Sequence, residues 1–452
     1  MFEFNRDMMR IFRAEGPRDS LTGGDPTLLE LMGLAMLRAE GRACDIAAGR
    51  ISAKDRPQRQ LEAAQVWREI ARRTGDPVAL RKAAATAEQA AEGFGRKARP
   101  KGWAQARCEQ AFCALTAADL FGDEGLRAAA DFGLREAEKV LGAEPAGVPA
   151  SLGRLGVAAQ VLHAAGDRSE VLALAARFDL LLQRLGGRHR ARPDGRLLAA
   201  DIRCARADML SAAGVRLRDP VLLRMAVDGL NKCVDGLDEA FEPLARARAA
   251  TARAIARASL AALDGEIPSL SQAVRELEAV LLTLAQDDSP LDWSRTKQAL
   301  ATVLQMLGEA TESRRVFDRA ITCFDQALSV FSEPSPLTER ATAAYQRAVC
   351  LARRAEVCGD LNGLELAEAA LRRELASIDP ARDPVGWALR QLNFARLYEA
   401  RAALTGSDSR DRKAAGVALS TALDVFGEHG LRSLSQTAQG GLDRLKAASA
   451  EA

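Results

Sequence analysis

The 452-residue sequence is poor in aromatic side chains: 4% in all, with two Tyr and four Trp. Aromatic and β-branched residues fill the strands of sandwiches and barrels, so this scarcity excludes an all-β architecture. Histidine is scarcer still. His163, His189 and His429 stand far apart, none at metal-ligand spacing from a Cys or a second His, so no zinc site is expected. The eight cysteines form no C-x-x-C and lie mostly in Ala/Leu-rich stretches, as buried free thiols of a reducing compartment do. No uncharged apolar run reaches the ~18 residues of a membrane span. Charges recur through the first 20 residues, unlike a secretory signal. A cytoplasmic location is therefore expected. An excess of one charge is also missing: 63 basic against 61 acidic residues leave a net +2, which disfavours a nucleic-acid coat. There is no Walker A, no G-x-G-x-x-G after a strand and no G-x-S-x-G. Accordingly no catalytic, cofactor-binding or metal-binding residue is assigned, and a non-enzymatic role is expected.

Helix formers are what the chain has in quantity, and it is 48% hydrophobic. Its basic residues are 54 Arg and 9 Lys, a skew common in GC-rich bacterial genomes. Gly-Asp or a near variant recurs at Gly24-Asp25, Gly75-Asp76, Gly122-Asp123, Gly166-Asp167, Gly308-Glu309, Gly359-Asp360 and Gly406-Ser407. An inverted Asp264-Gly265 and a degenerate Gly214 with Asp219-Pro220 fill the gaps. The mean interval from Gly75 to Gly406 is about 47 residues. Out of phase with these glycines, Pro57, Pro100, Pro149, Pro193, Pro243, Pro290, Pro336 and Pro384 keep the same period. Between the breakers apolar residues follow helical spacing, as at Leu300, Val303, Leu304 and Leu307. Gly308 is expected to stop that helix, and Pro334 and Pro336 the next. Each unit is thus a helical hairpin: helix A, a Gly-Asp turn whose acid caps helix B, then a Pro-marked turn. About eight such units stacked together give an all-α solenoid with a superhelical path.

The pattern of small and large residues resembles the tetratricopeptide (TPR) repeat family. Ala320-Ile321-Thr322-Cys323-Phe324-Asp325-Gln326-Ala327 reads A-x-x-x-F-x-x-A, similar to the helix B signature of that family. The triplet recurs as Ala130/Leu134/Ala137, Ala273/Leu277/Val280 and Ala415/Leu419/Ala422. Leu300-Ala301 and Leu351-Ala352 stand where the family places Leu-Gly, and P-x-x-W occurs at Pro100/Trp103, Pro290/Trp293 and Pro384/Trp387. The departure is length, ~47 residues against a family unit of ~34, a length that HEAT and armadillo repeats share. The resemblance implies a TPR-like α-solenoid and leaves function open.

On this reading residues 1–22 are an amphipathic N-terminal cap, 23–430 the repeat array, and 431–452 a C-terminal capping helix with a frayed tail. Phe4, Met8, Ile11 and Phe12 with interleaved arginines also suit a helix on a membrane surface or a partner. The family's inward-facing helix A positions fall here on Arg295, Gln298, Thr302 and Gln305 and, one unit on, on Gln346, Val349, Arg353 and Glu356. These imply a groove for a peptide or helix of another protein. Two basic runs, Arg96, Lys97, Arg99, Lys101 and Arg188, Arg190, Arg192 beside His189 and Arg196, fall in turns between units. They are expected on one edge, either as ordinary solvated turns or as a dock for an anionic partner. Trp67, Trp103, Trp293 and Trp387 are expected in the packing between units. Self-association stays open, and a ligand- or peptide-sensing regulator is the rival to a scaffold.

Overall fold

The computed structural model describes residues 24–50, 54–331, 337–376, 378–381, 383–406 and 409–450. The N-terminal segment with Phe4 to Phe12, together with Pro334, Pro336 and Ser407, lies outside the described residues. Within them twenty α-helices follow one another. Two precede the hairpins: α1 (Pro26–Leu31) and α2 (Leu34–Arg50). Eight hairpins follow: α3 (Arg56–Thr74) with α4 (Pro77–Phe94), α5 (Pro100–Phe121) with α6 (Glu124–Leu141), and α7 (Val148–Ala165) with α8 (Arg168–Arg184). A single turn, α9 (Gly187–Arg190), leads to α10 (Pro193–Leu217) with α11 (Pro220–Asp235). Then come α12 (Pro243–Asp264) with α13 (Ile267–Thr283), and α14 (Pro290–Thr311) with α15 (Arg314–Leu328). The last two are α16 (Thr338–Cys358) with α17 (Leu361–Ala376), and α18 (Pro384–Thr405) with α19 (Ser409–Glu428). A final helix, α20 (Arg432–Ala450), packs on α19. The fold is all-α, a solenoid of sequential hairpins.

The turn chemistry explains the boundaries. Pro57, Pro100, Pro149, Pro193, Pro243, Pro290 and Pro384 all sit in the first turn of their helices, where a missing N–H costs nothing. Gly75, Gly122, Gly359 and Gly406 close their helices in the left-handed conformation. The next residue then caps the following helix: Asp76 accepts from Val78 N at 2.8 Å and Asp123 from Gly125 N at 3.0 Å. Asp167 forms a reciprocal capping box with Glu170.

Gly308 does not end its helix. Helix α14 continues to Thr311, and Glu312 takes the left-handed conformation at φ 50°. Gly308 is instead buried, and a Cβ there would come within 3.1 Å of the Phe317 ring. Its role is the close approach of two helices rather than a turn. Gly214 repeats the arrangement against Leu223, with Arg218 at φ 50° as the turn residue.

Helix B contributes small residues beside a large one to a core that both helices of each hairpin build. Ala130, Leu134 and Ala137 are 1%, 0% and 0% exposed, and Ala320, Phe324 and Ala327 are all 0% exposed. Small side chains at these positions let neighbouring helices close to packing distance. The four tryptophans are partly buried against these clusters, and Trp67 donates its indole N–H to Asp45.

The hairpins do not simply recede from one another. The first, α3, touches the sixth, through α14, and α5 of the second touches α16 of the seventh. The superhelix therefore meets itself after about one turn. Thr338 Oγ1 donates to Asp119 O at 2.9 Å, joining the start of α16 to the end of α5. Leu291 and Leu337 pack in one cluster with Leu37, Ile70 and Leu120. Short α1 is held between α10 and α12. Its Glu30 carboxylate accepts from Leu244 N and Ala245 N, both at 2.9 Å, and so satisfies two free amides at the start of α12.

Candidate binding surface

Where the turns meet, helices α3, α5, α10, α12 and α14 bring charged side chains into the interior. Arg68 donates to both carboxylate oxygens of Glu109, at 2.5 and 3.3 Å. Arg72 bridges its own helix to the sixth hairpin, donating to Glu69 at 2.7 Å and to Asp292 at 3.0 Å. Arg73 donates to Glu69 at 2.6 Å and to the Leu29 and Met32 carbonyls that end α1. Burial works against the charge on Glu69, yet Arg72, Arg73 and Arg248 prevail and hold it well below the usual carboxylate range. Burial likewise opposes Asp292, and Arg72, Arg248 and Arg295 bring it down to about 2. The charges also suit the helix ends they occupy, Arg72 and Arg73 in the last turn of α3 and Asp292 in the first turn of α14.

Beside this seam lies a cavity of about 290 Å³ between α10, α12 and α14. Asp208 and Ser211 line it from α10, Arg248, Thr251, Ala252 and Ile255 from α12, and Asp292, Arg295 and Thr296 from α14, with Leu284 closing one side. Arg248 answers Glu30 at 2.8 Å, and Arg295 answers Glu339 and Asp292. Thr251 and Thr296 share a hydrogen bond of 3.1 Å. Asp208 differs from the other charges of the wall: among the described residues no hydrogen bond or ion pair reaches it. Its side chain is open to solvent, and the protein mass around the cavity, by limiting hydration, pushes its carboxyl up to about 6. Asp201, two turns earlier on α10, is raised in the same way, with Arg248 opposing and Glu30 adding to the shift.

The groove residues read from the sequence lie on neighbouring helices, and most are paired with one another or with acids of the adjoining turns. Gln298 donates to Gln346 at 2.9 Å, Arg353 to Glu309 at 3.0 Å and also to Glu356, and Gln305 to Glu309 at 3.1 Å. Arg295 reaches Glu339, and Thr302 turns its hydroxyl back on the Gln298 carbonyl. Val349 packs beside the cluster of α16, α17 and α18. Only Arg295 of this set lines the cavity.

Residues missed by that reading were within its reach. Arg248 stands 47 residues before Arg295, and Asp201 47 before Arg248. The same step leads from Thr302 to Ile255 and to Asp208. Carried back two units, the register names much of the cavity wall. The seam residues Glu30, Glu69, Arg72 and Asp292 have no such periodic signal.

The basic edge is largely occupied. Arg96 pairs with Glu136 and covers Trp103, Arg99 donates to the Lys54 and Gly93 carbonyls, and Lys101 meets Glu144 at 3.1 Å. Arg190 donates to the Gly186 carbonyl, Arg192 pairs with Asp194, and Arg196 with buried Glu242. Lys97 and Arg188 are exposed. His189 lies in the single turn α9 rather than in an open loop. Among the described residues no group of three or more His, Cys, Asp and Glu is placed to hold a metal ion. Cys108 and Cys113 are buried, and burial pushes both thiols far up. Cys204 and Cys233 lie with their sulfurs 3.8 Å apart across α10 and α11. No described helix is long and apolar enough to cross a membrane.

No family model and no curated protein matches the chain. Among solved structures it is similar to a Rap protein complexed with competence and sporulation factor, at 9% identity over 88% of this chain and 99% of that one, TM-score 0.47. It is also similar to a monomeric mutant of IFIT1 with Gppp-AAAA, at 11% identity over 95% and 91% of the chains, TM-score 0.48. The human IFIT1 dimer with PPP-AAAA gives 13% identity over 95% and 96%, TM-score 0.39. These superpositions are loose, and the fold rests on the helix packing described above.

Proposed function

We propose that the chain is a non-catalytic interaction scaffold that holds a peptide or helix segment of a partner protein on its concave wall. We read its hairpins as a long, ~47-residue variant of the TPR-like unit, acting in the cytoplasm. One observation carries this reading: the cavity between α10, α12 and α14 presents polar and apolar side chains that the fold itself leaves unused, Asp208 and Ile255 above all. Elsewhere on the inner wall the polar side chains are answered by the adjacent hairpin. The wall is built on long helices packed against neighbours in their own and adjacent hairpins, so it is pre-formed and demands little ordering on binding.

A peptide library displayed against the full chain tests the reading. Enrichment of related sequences is expected, and Ile255→Arg, which puts a longer charged side chain into the cavity wall, is expected to abolish it. No enrichment, or enrichment indifferent to Ile255→Arg, would remove the reading. A small-molecule sensor is the second reading, favoured by the cavity's volume of about 290 Å³, near the lower end for ligand pockets. The basic turns are the third, and the pairing of Arg96, Lys101, Arg192 and Arg196 within the chain weighs against them.

A further inference from the structure

We propose that the cavity is a recognition site for a cationic group, an alkylammonium or guanidinium on an apolar stem, with Asp208 as its counter-ion. The proposal rests on the concave wall being the binding surface and adds the chemistry of what enters it.

The charges of the interior sort into partners. Arg68 has Glu109, Arg72 and Arg73 share Glu69 and Asp292, Arg248 has Glu30, and Arg295 has Glu339. These five cations and five anions cancel. Asp208 and Asp201 are left over, on one face of α10 and about 10 Å apart along it. Both carboxylates are open to solvent and face the space enclosed by the helices, so a cation can reach Asp208 without displacing a partner, and the low-dielectric walls strengthen the attraction. An anion would find Arg248 and Arg295 already facing their own carboxylates. The rest of the wall fits a stem. Ala252, Ile255 and Leu284 supply apolar surface, and the Ser211 and Thr251 hydroxyls can accept from N–H donors. The volume suits one side chain or a small amine rather than a larger ligand.

The enclosing helices give the site a pH signature. The groups around it are Asp201 and Cys204 on α10, Arg248 on α12, Asp292 and Arg295 on α14, Glu30 on α1, and Arg68 and Arg72 on α3. Asp208 is the lining group that titrates near pH 6. A cation binds its ionised form, so affinity falls about tenfold from pH 7 to pH 5.

Isothermal titration of the full chain tests this with two sources of the cation: agmatine, a free amine, and the blocked peptide acetyl-Ala-Arg-Ala-amide. The neutral citrulline peptide is the control. Both cations are expected to bind, to weaken at least about tenfold in Asp208→Asn with a melting point no lower than the parent's, and to be unaffected by Val417→Ala on exposed surface of α19. Ile255→Arg, which supplies a guanidinium from the protein itself, is expected to block both even if Asp208→Asn folds poorly. Binding absent at millimolar concentration, equal for the citrulline peptide, or unchanged by both Asp208→Asn and Ile255→Arg overturns the proposal. Agmatine bound through Asp208 with no peptide bound upholds the cation site and removes the peptide reading. Displayed peptides that lack a basic residue and ignore Asp208→Asn do the reverse.

Discussion

The inner faces of α14, α16 and α18 and of α10, α12 and α14 carry similar polar side chains to different ends. On the first, Gln298 finds Gln346, Arg353 finds Glu309, and Asn393 finds Tyr345. On the second, Asp208 finds no partner among the described residues and a cavity opens in front of it. The difference lies one repeat away. A polar residue becomes a structural rung when the next helix A offers a complementary group at the same height. It becomes available to a ligand when that height holds Ile255, as it does opposite Asp208. Inward-facing polarity alone does not define a binding wall; its relation to the adjacent unit does.

The largest effect that would break this comparison is expected at the seam. Arg72→Leu removes the cation that Glu69 and Asp292 share and leaves these side chains, 15% and 2% exposed, with only Arg73 and Arg295 respectively as ion-pair partners. A loss of about 3–5 kcal/mol in urea unfolding is expected, with a rise in radius of gyration by X-ray scattering as the turns part. Gln298→Leu on the self-paired face should cost only about 1 kcal/mol and leave the scattering unchanged. Equal costs would mean that the two kinds of pairing are not distinct.

Next in size is the contrast between two glycines. Gly308→Val drives a branched side chain into Phe317 and is expected to cost about 1–3 kcal/mol. Gly265→Ala meets nothing within 4 Å and bears only the strain of φ 72°, about 1 kcal/mol. Thermal melting of the two variants separates close approach from turn geometry.

Asp208 sharpens the comparison by its pH dependence. Its folded pKa is about 6, above the ~3.9 of an unfolded Asp, so the folded state binds the proton more tightly. Stability from this group therefore falls as pH rises from about 4 to 6. Asp208→Asn should melt higher than the parent at pH 7 and equal to it at pH 4. A lower melting point at pH 7 would show that the carboxylate is structural. The smallest effect is expected at a cap: Asp123→Ala frees the Gly125 and Leu126 amides and should cost about 1 kcal/mol by urea titration.

The hairpins were legible because their punctuation is local. Proline in a first turn and Gly-Asp between helices act on their own residues, so they read the same in sequence and in space. Gly308 misled because a glycine needed for helix contact and one needed for a turn look alike in one dimension. The self-closing seam was illegible for a different reason. Arg72 and Asp292 are 220 residues apart, and neither periodicity nor composition relates them. The candidate cavity lay between these cases: its wall obeys the repeat register, but its vacancy depends on what Ile255 does not offer.

Glu30 gives the chain a schedule as well as a clasp. Its partners, the Leu244 and Ala245 amides, follow it by 214 and 215 residues. At ~5–20 residues per second, a ribosome delivers them about 10–40 s after the glutamate emerges. Through that interval the early hairpins can form their own contacts, while α1 waits for its berth. The ring is therefore shut late, by the first described helix of the chain.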